Sequence, residues 1–122
     1  LCYFGDGAFT LTGWDLETCQ RFKLPILGVI GNNSAMNQIR CGQINKYGAE
    51  RGNVGNLLGD VEFEKFAEML GGYGEAVRDP KDIRPALDRA REAVRGGTSA
   101  LVNIWVDREE WAPGTRNQTM YK

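Results

Sequence analysis

An acidic residue stands between two glycines near the start of the chain, where GDG (residues 5–7) follows a short apolar run. A second polar pair, Asn32-Asn33, follows the apolar run ILGVIG at residues 26–31. Carboxylate and amide oxygens at strand ends can bind a hard cation, and glycines let the backbone approach a phosphate closely. Each motif alone is also typical of a structural turn. Their meaning depends on whether the fold brings them together.

The spacing of the two motifs predicts that they meet. The segment between Gly7 and Asn32 is long enough for one helix and one strand, and a right-handed crossover of that kind returns to the same edge of a parallel sheet. Ligands bind beyond this edge. Asp6, Asn33 and a nearby backbone carbonyl would then form an all-oxygen set suited to Mg²⁺, and N–H groups of residues 7–9 could donate to a diphosphate.

The hydrophobic pattern predicts an α/β fold with a mostly parallel sheet and helices on both faces. We expect strands at residues 1–4, 26–31, 74–79 and 99–107. Helices are expected from Thr12 to about residue 22, from Asp60 to residue 70, and from residue 79 to residue 95, with Thr12 and Asp60 as N-caps. The glycine-rich stretch 32–59 is interpreted as a long functional loop with at most two helical turns.

Composition excludes several classes of function. The 122 residues carry 15 basic and 16 acidic side chains, which gives no electrostatic reason to expect nucleic acid or an anionic membrane as partner. No apolar run approaches the roughly 18–20 residues that span a bilayer. The absence of histidine excludes a Ser-His-Asp triad and a His-ligated zinc site within this chain. Three cysteines without a CxxC pair are interpreted as buried thiols of a cytoplasmic protein.

The two motifs together resemble the cofactor motif of the thiamine diphosphate enzyme superfamily, which includes 2-hydroxyacyl-CoA lyases, oxalyl-CoA decarboxylases and acetolactate synthases. The whole stretch GDGAFTLTGWDLETCQRFKLPILGVIGNN is similar to these enzymes, and residues 79–107 resemble the end of their diphosphate-binding domain. The resemblance implies thiamine diphosphate and Mg²⁺ as cofactors. It also implies Asp6, Asn33 and the Ala35 carbonyl as metal ligands, and a diphosphate lined by Gly5, Gly7, Ala8, Phe9 and Asn33.

Further predictions concern the substrate side of the same site. Met36 lies just after the Asn pair, and we interpret it either as a wall beside the thiazolium ring or as a core methionine. Residues 1–108 are predicted to form the diphosphate-binding domain, and residues 109–122 a tail. That tail resembles the lid that the CoA-handling branch folds over its substrate, in which Arg116 and Lys122 would meet CoA phosphates. A frayed terminus is the alternative.

The resemblance implies that the chain works as part of a larger enzyme. The pyrimidine-binding domain of the family would come from the same enzyme or a neighbouring subunit in a homo-oligomer, so we expect the chain alone to be inactive. The first hypothesis for the whole protein is a carbon–carbon lyase acting on 2-hydroxyacyl-CoA compounds. An acetolactate synthase-type carboligase is the second hypothesis, and a non-catalytic module that keeps the fold is the third.

Overall fold

A computed structural model gives the structure of residues 1–111, which contain one parallel sheet of four strands in the order β1-β2-β4-β3. The strands are β1 (Cys2–Gly5), β2 (Leu27–Asn32), β3 (Tyr73–Val77) and β4 (Ala100–Trp105). All connections between neighbouring strands contain helices, as parallel pairing requires. The predicted α/β class and parallel sheet are therefore confirmed.

Six α-helices connect the strands. They are α1 (Asp6–Thr12), α2 (Asp15–Arg21), α3 (Asn37–Tyr47), α4 (Ala49–Gly52), α5 (Phe63–Met69) and α6 (Ile83–Arg95). A short 3₁₀ turn leads into α6, and the Asp79 side chain caps it by accepting a hydrogen bond from the Lys81 N–H at 3.0 Å. Within residues 1–111, no helix is both long and apolar enough to cross a bilayer.

The core is divided between the two faces of the sheet because successive strand residues point to opposite sides. Leu101 of β4 points to one face, whereas its neighbours Ala100 and Val102 point to the other. The first face carries the aromatic cluster, in which the Phe9 ring meets Phe4, Phe63 and Phe66 edge to face; the second face packs on Ala86 and Ala90 of α6. Helices thus cover both faces, as expected.

Both predicted N-caps are wrong. Thr12 is the last residue of α1, because the chain enters a helix directly at Asp6 and breaks at Gly13 before α2 begins. Asp60 precedes α5 by three residues and does not cap it. Its carboxylate instead accepts a hydrogen bond from the Ser34 hydroxyl at 2.7 Å.

The predicted long loop at residues 32–59 is largely helical. Helices α3 and α4 occupy 15 of its positions and pack closely on each other at Gly52, where a Cβ atom would lie 2.5 Å from the Ile44 amide nitrogen. Neither helix has a continuous apolar face, so hydrophobic periodicity gave no signal for them. Their packing depends on a glycine rather than on large side chains.

The cysteines differ from expectation in burial. Cys2, Cys19 and Cys41 are all free thiols, as expected, but each is partly exposed rather than buried. No disulfide joins any two of these three cysteines.

Gly74 provides a test of the packing between α5 and the sheet. A Cβ atom there would overlap the backbone carbonyl of Glu64, which cannot move without shifting α5. We expect Gly74→Ala to lower the free energy of unfolding by about 3 kcal/mol, as other overpacked sites do. Gly42→Ala is the matched control, since a Cβ atom there meets open space inside a helix. It should stabilise the protein by roughly 0.5–1 kcal/mol. Equal urea denaturation midpoints for the two variants would contradict this packing.

Candidate cofactor site

The Asp6 carboxylate connects the ends of two neighbouring strands. It is buried, with 3% of the residue exposed, and it accepts three backbone hydrogen bonds. Its Oδ1 accepts from the Gly7 N–H at 2.7 Å, while its Oδ2 accepts from the N–H groups of Asn33 and Ala35 at 3.1 and 3.0 Å. The sequence prediction that Asp6 and Asn33 lie side by side is therefore met by the geometry. A carboxylate has about four acceptor positions, so one on Oδ1 remains for a cation.

Residues 33–35, which we call the metal loop, are held in an unusual backbone conformation. Ser34 has φ of 55°, in the left-handed region that non-glycine residues seldom adopt. The Asn32 side chain stabilises this turn, because its Oδ1 accepts from the Ser34 N–H at 3.1 Å and its Nδ2 donates to the Val61 carbonyl at 3.0 Å. The Ser34 carbonyl also accepts from the Leu58 N–H at 2.8 Å. The loop is thus fixed by partners on two sides.

One buried oxygen in the metal loop has no partner within residues 1–111. The Asn33 Oδ1 is buried and, among the described residues, makes no hydrogen bond. The carbonyl oxygen of Ala35 likewise accepts no backbone hydrogen bond from residues 1–111. An unpaired buried acceptor costs about 1–3 kcal/mol, and a bound cation would remove that cost. Together with the free position on Asp6, these oxygens fit Mg²⁺, which takes few protein ligands and keeps water or phosphate oxygens in its other positions.

These atoms border a cleft of about 540 Å³. Its lining includes Gly5, Asp6, Gly7 and Asn33, and also the apolar residues Leu11, Met36, Ile39 and Trp111. Gly5 and Gly7 lack a side chain for different structural reasons. A Cβ on Gly7 would lie 2.7 Å from the Met36 Cγ, whereas a Cβ on Gly5 would meet no atom within 4 Å. Gly7 therefore allows Met36 to pack against α1, and Gly5 leaves space beside the carboxylate.

The structure brings most of the predicted site residues together. Gly5, Asp6, Gly7, Ala8, Asn33, Ala35 and Met36 all border this cleft. Phe9 does not, because its ring is buried in the aromatic cluster under α1 with only 6% of the residue exposed. The sequence prediction concerns the Phe9 backbone at the start of α1, and its contact with a diphosphate stays a prediction. Arg116 and Lys122 lie outside the described residues.

Sequence reasoning missed several residues that shape the site. Ser34 and Asp60 hold the metal loop, Arg108 donates to the Asn33 carbonyl at 2.9 Å, and Glu110 and Trp111 line the cleft. None belongs to a local pattern, since each acts across 26 or more positions of the chain. Of these residues only Ser34 could have been found, because it adjoins Asn33 in the sequence.

The donor set excludes a site built from several ionisable ligands. Within residues 1–111, no three His, Cys, Asp or Glu side chains are grouped so that they could hold a metal ion. A metal here would rely on one carboxylate, one amide and one carbonyl. Such a set is hard and weakly charged, so an anionic partner such as a diphosphate would have to complete the coordination.

Comparison with known proteins identifies the family of the chain. Residues 1–104 match the family model described as thiamine pyrophosphate enzyme, C-terminal TPP binding domain. The chain is 34% identical to a probable acetolactate synthase of Mycobacterium bovis over 84% of its length. It is 31% identical to human 2-hydroxyacyl-CoA lyase 2 over 93% of its length, and 33% identical to indole-3-pyruvate decarboxylase of Azospirillum brasilense over 74%. The chain spans 18% of the first two relatives and 15% of the third. Since the family model covers most of the chain, the protein belongs to the thiamine pyrophosphate (thiamine diphosphate) enzymes, within their C-terminal cofactor-binding domain.

Proposed function

We propose that this chain binds the magnesium–diphosphate end of thiamine diphosphate in an enzyme that cleaves carbon–carbon bonds of 2-hydroxyacyl-CoA compounds. The observation that carries the proposal is the unpaired Asn33 Oδ1, which lies beside a buried carboxylate at the border of the cleft. Buried side-chain oxygens usually have a hydrogen-bond partner, and this one belongs to a residue that lines the cleft beside Asp6. No group within residues 1–111 pairs with this oxygen, and a cation is the partner that would explain it.

The chain's own residues would bind and orient the cofactor. Asp6, Asn33 and the Ala35 carbonyl would hold Mg²⁺, and the open space beside Gly5 leaves room for phosphate oxygens. The apolar side chains of Met36 and Leu11 would exclude water from the rest of the cleft, where charge interactions are then stronger. When bound, thiamine diphosphate supplies an ylid that adds to a carbonyl and a ring that stores the resulting electron pair. The protein supplies position and electrostatics.

The choice between lyase and synthase rests on the extent of the similarity. The match to human 2-hydroxyacyl-CoA lyase 2 covers 93% of the chain and therefore extends beyond Asp107, whichever end it starts from. The match to the mycobacterial acetolactate synthase covers 84%, although its identity is higher at 34%. A lyase is favoured because residues after β4 contribute Glu110 and Trp111 to the cleft. The synthase remains the second candidate on the ground of identity.

A non-catalytic module is the candidate from another class. The intact acceptor set of Asp6 and Asn33 argues against it, because an unused site would have no reason to keep a buried unpaired oxygen. The three cysteines are free thiols, which is the usual state of cysteines in the reducing cytosol, and we propose that the protein acts there.

A partner domain is proposed at the mouth of the cleft. Leu11 and Ile39 line the cleft and are 77% and 55% exposed, and Trp14 beyond the end of α1 is 67% exposed. Large apolar side chains grouped on a surface are typical of an interface. We propose that the pyrimidine-binding domain, from the same enzyme or a second subunit of a homo-oligomer, covers them.

Asn33 can be tested without disturbing the fold. Asn33→Ala removes an oxygen that makes no hydrogen bond, so the free energy of unfolding should stay unchanged or rise slightly. Mg²⁺-dependent binding of thiamine diphosphate to the full-length protein should weaken by about tenfold or more, as loss of a hard ligand predicts. Isothermal titration calorimetry measures the affinity, and urea unfolding measures the stability.

Two variants serve as controls for this experiment. Asn32→Ala makes the same chemical change one residue earlier, but it removes two hydrogen bonds and should destabilise the protein by about 2 kcal/mol. Asp6→Asn keeps the shape of the carboxylate and removes its charge, and it should weaken cofactor binding more than Asn33→Ala does. Wild-type affinity in both Asn33→Ala and Asp6→Asn would refute the metal assignment.

The shared active site predicts that the chain is inactive alone. We expect no lyase or decarboxylase turnover from the purified 122-residue chain supplied with Mg²⁺ and thiamine diphosphate, because the surface around Leu11 and Ile39 is uncovered. Activity should require the full-length protein. Turnover by the isolated chain, measured under the same conditions, would contradict the proposed partner domain.

The lyase and the synthase differ in their need for CoA contacts. Deleting residues 114–122 from the full-length enzyme removes the cationic Arg116 and Lys122, which could pair with CoA phosphates. For a 2-hydroxyacyl-CoA substrate we expect KM to rise about tenfold or more while thiamine diphosphate affinity stays unchanged. Unchanged acyl-CoA kinetics would favour the synthase.

A further inference from the structure

The segment that follows β4 runs alongside the metal loop. We call residues 106–111 the strap. Its first residue, Val106, donates its N–H to the Asn32 carbonyl at 2.9 Å, and the Arg108 Nε donates to the Asn33 carbonyl at 2.9 Å. Two consecutive carbonyls of the site are therefore bound by the strap. Both backbone polar groups of Asn33 therefore have partners, since its N–H donates to Asp6 and its carbonyl accepts from Arg108.

A second set of bonds fastens the strap to the start of α3. The Asn37 Nδ2 donates to the Arg108 carbonyl at 2.7 Å, and the Asn37 Oδ1 accepts from the Arg40 Nη1 at 3.1 Å. Arg40 also pairs with the Glu109 carboxylate at 3.3 Å. Only 13% of the Arg40 side chain is exposed. Solvent therefore screens the charge of Arg40 less than it would screen a fully exposed arginine. The strap thereby places Glu110 and Trp111 against the cleft.

We propose that Arg108 is a positioning residue for the metal ligand Asn33, and that the strap and the metal loop move as one unit. This inference rests on the proposed function of Asn33. A group that hydrogen-bonds a metal ligand fixes the direction in which that ligand points, and its loss usually weakens metal affinity 10–100-fold. Here the Arg108 guanidinium binds the Asn33 carbonyl and so holds the backbone that carries the Asn33 side chain with its unpaired Oδ1.

The coupling is reciprocal. If the strap favours the metal-binding orientation of Asn33, a bound metal must favour the docked strap by the same free energy. Occupation of the cofactor site would then hold Glu110 and Trp111 in the wall of the cleft. The cofactor and the substrate-facing wall would be assembled in one step.

The test compares two arginine substitutions in the full-length protein. Arg108→Met removes the bond to Asn33, whereas Arg78→Met removes a guanidinium that lies over the Trp105 ring, 4.2 Å from its centroid, and has no hydrogen bond to the metal loop among the described residues. At saturating thiamine diphosphate, we expect the Kd for Mg²⁺ to rise about tenfold in Arg108→Met and to stay unchanged in Arg78→Met. Electrostatics alone predicts the opposite sign, because removing a nearby cation reduces its repulsion of Mg²⁺.

Hydrogen exchange supplies a readout that needs no cofactor. In the ligand-free protein, Arg108→Met should accelerate exchange of the Asn33 and Ala35 amides, and Arg78→Met should not. In the parent, Mg²⁺ with thiamine diphosphate should slow exchange in residues 108–111. Arg108→Lys, which keeps a cationic donor, should restore part of the affinity.

The outcomes separate the two hypotheses. An unchanged Kd for Mg²⁺ together with unchanged exchange in Arg108→Met would overturn the positioning role. A parent protein that binds no Mg²⁺ with thiamine diphosphate would instead refute the proposed function, and the exchange comparison would still decide whether Arg108 fixes the loop.

Discussion

Three backbone N–H groups converge on the Asp6 carboxylate, and the geometry of the cleft depends on that convergence. The donors come from Gly7 at the start of α1 and from Asn33 and Ala35 after β2, and the latter two lie 27 and 29 positions after Asp6 in the chain. A buried carboxylate is costly to desolvate, and charge-assisted hydrogen bonds offset this cost. Without the carboxylate, three N–H groups would lose their acceptor and the metal loop would have no fixed distance from α1.

This constraint explains how two unfavourable features are tolerated side by side in the metal loop. Ser34 has a left-handed backbone, and the Asn33 Oδ1 beside it is unpaired. Strained or unsatisfied groups of this kind persist only where the surrounding structure over-determines them, and they are commonest at functional sites. Around this loop the bonds from Asp6, Asn32, Asp60 and Arg108 supply that over-determination. These bonds hold the metal loop in a conformation that would be unfavourable on its own.

The sequence predicted the parallel sheet and its strands, but it did not predict every residue that holds the site. Apolar runs and glycines identified the strands and the helices α5 and α6, because a buried element must show its period. Helices α3 and α4 carried no such period, and their packing through Gly52 cannot be read from hydropathy. Asp6 and Asn33 could be placed together because parallel strands end at one edge. The place of the Phe9 ring could not be predicted, because the chain turns helical at Asp6 and this directs the ring into the core. The contacts of Asp60 and Arg108 are long-range and follow no local rule.

The second unpaired oxygen in the described residues shows what distinguishes a ligand from an imperfection of packing. Asn103 Oδ1 is also buried without a partner, but its amide group donates to the buried Glu64 carboxylate at 2.8 Å, and Asn103 does not border the cleft. It lies under the site, where its Nδ2 also approaches the Val61 carbonyl that Asn32 binds. A metal ion could not reach it without opening the core. Asn33 differs because its residue lines the cleft and its neighbour Asp6 retains an acceptor position. Access and a charged neighbour, rather than the missing hydrogen bond alone, make Asn33 a candidate metal ligand.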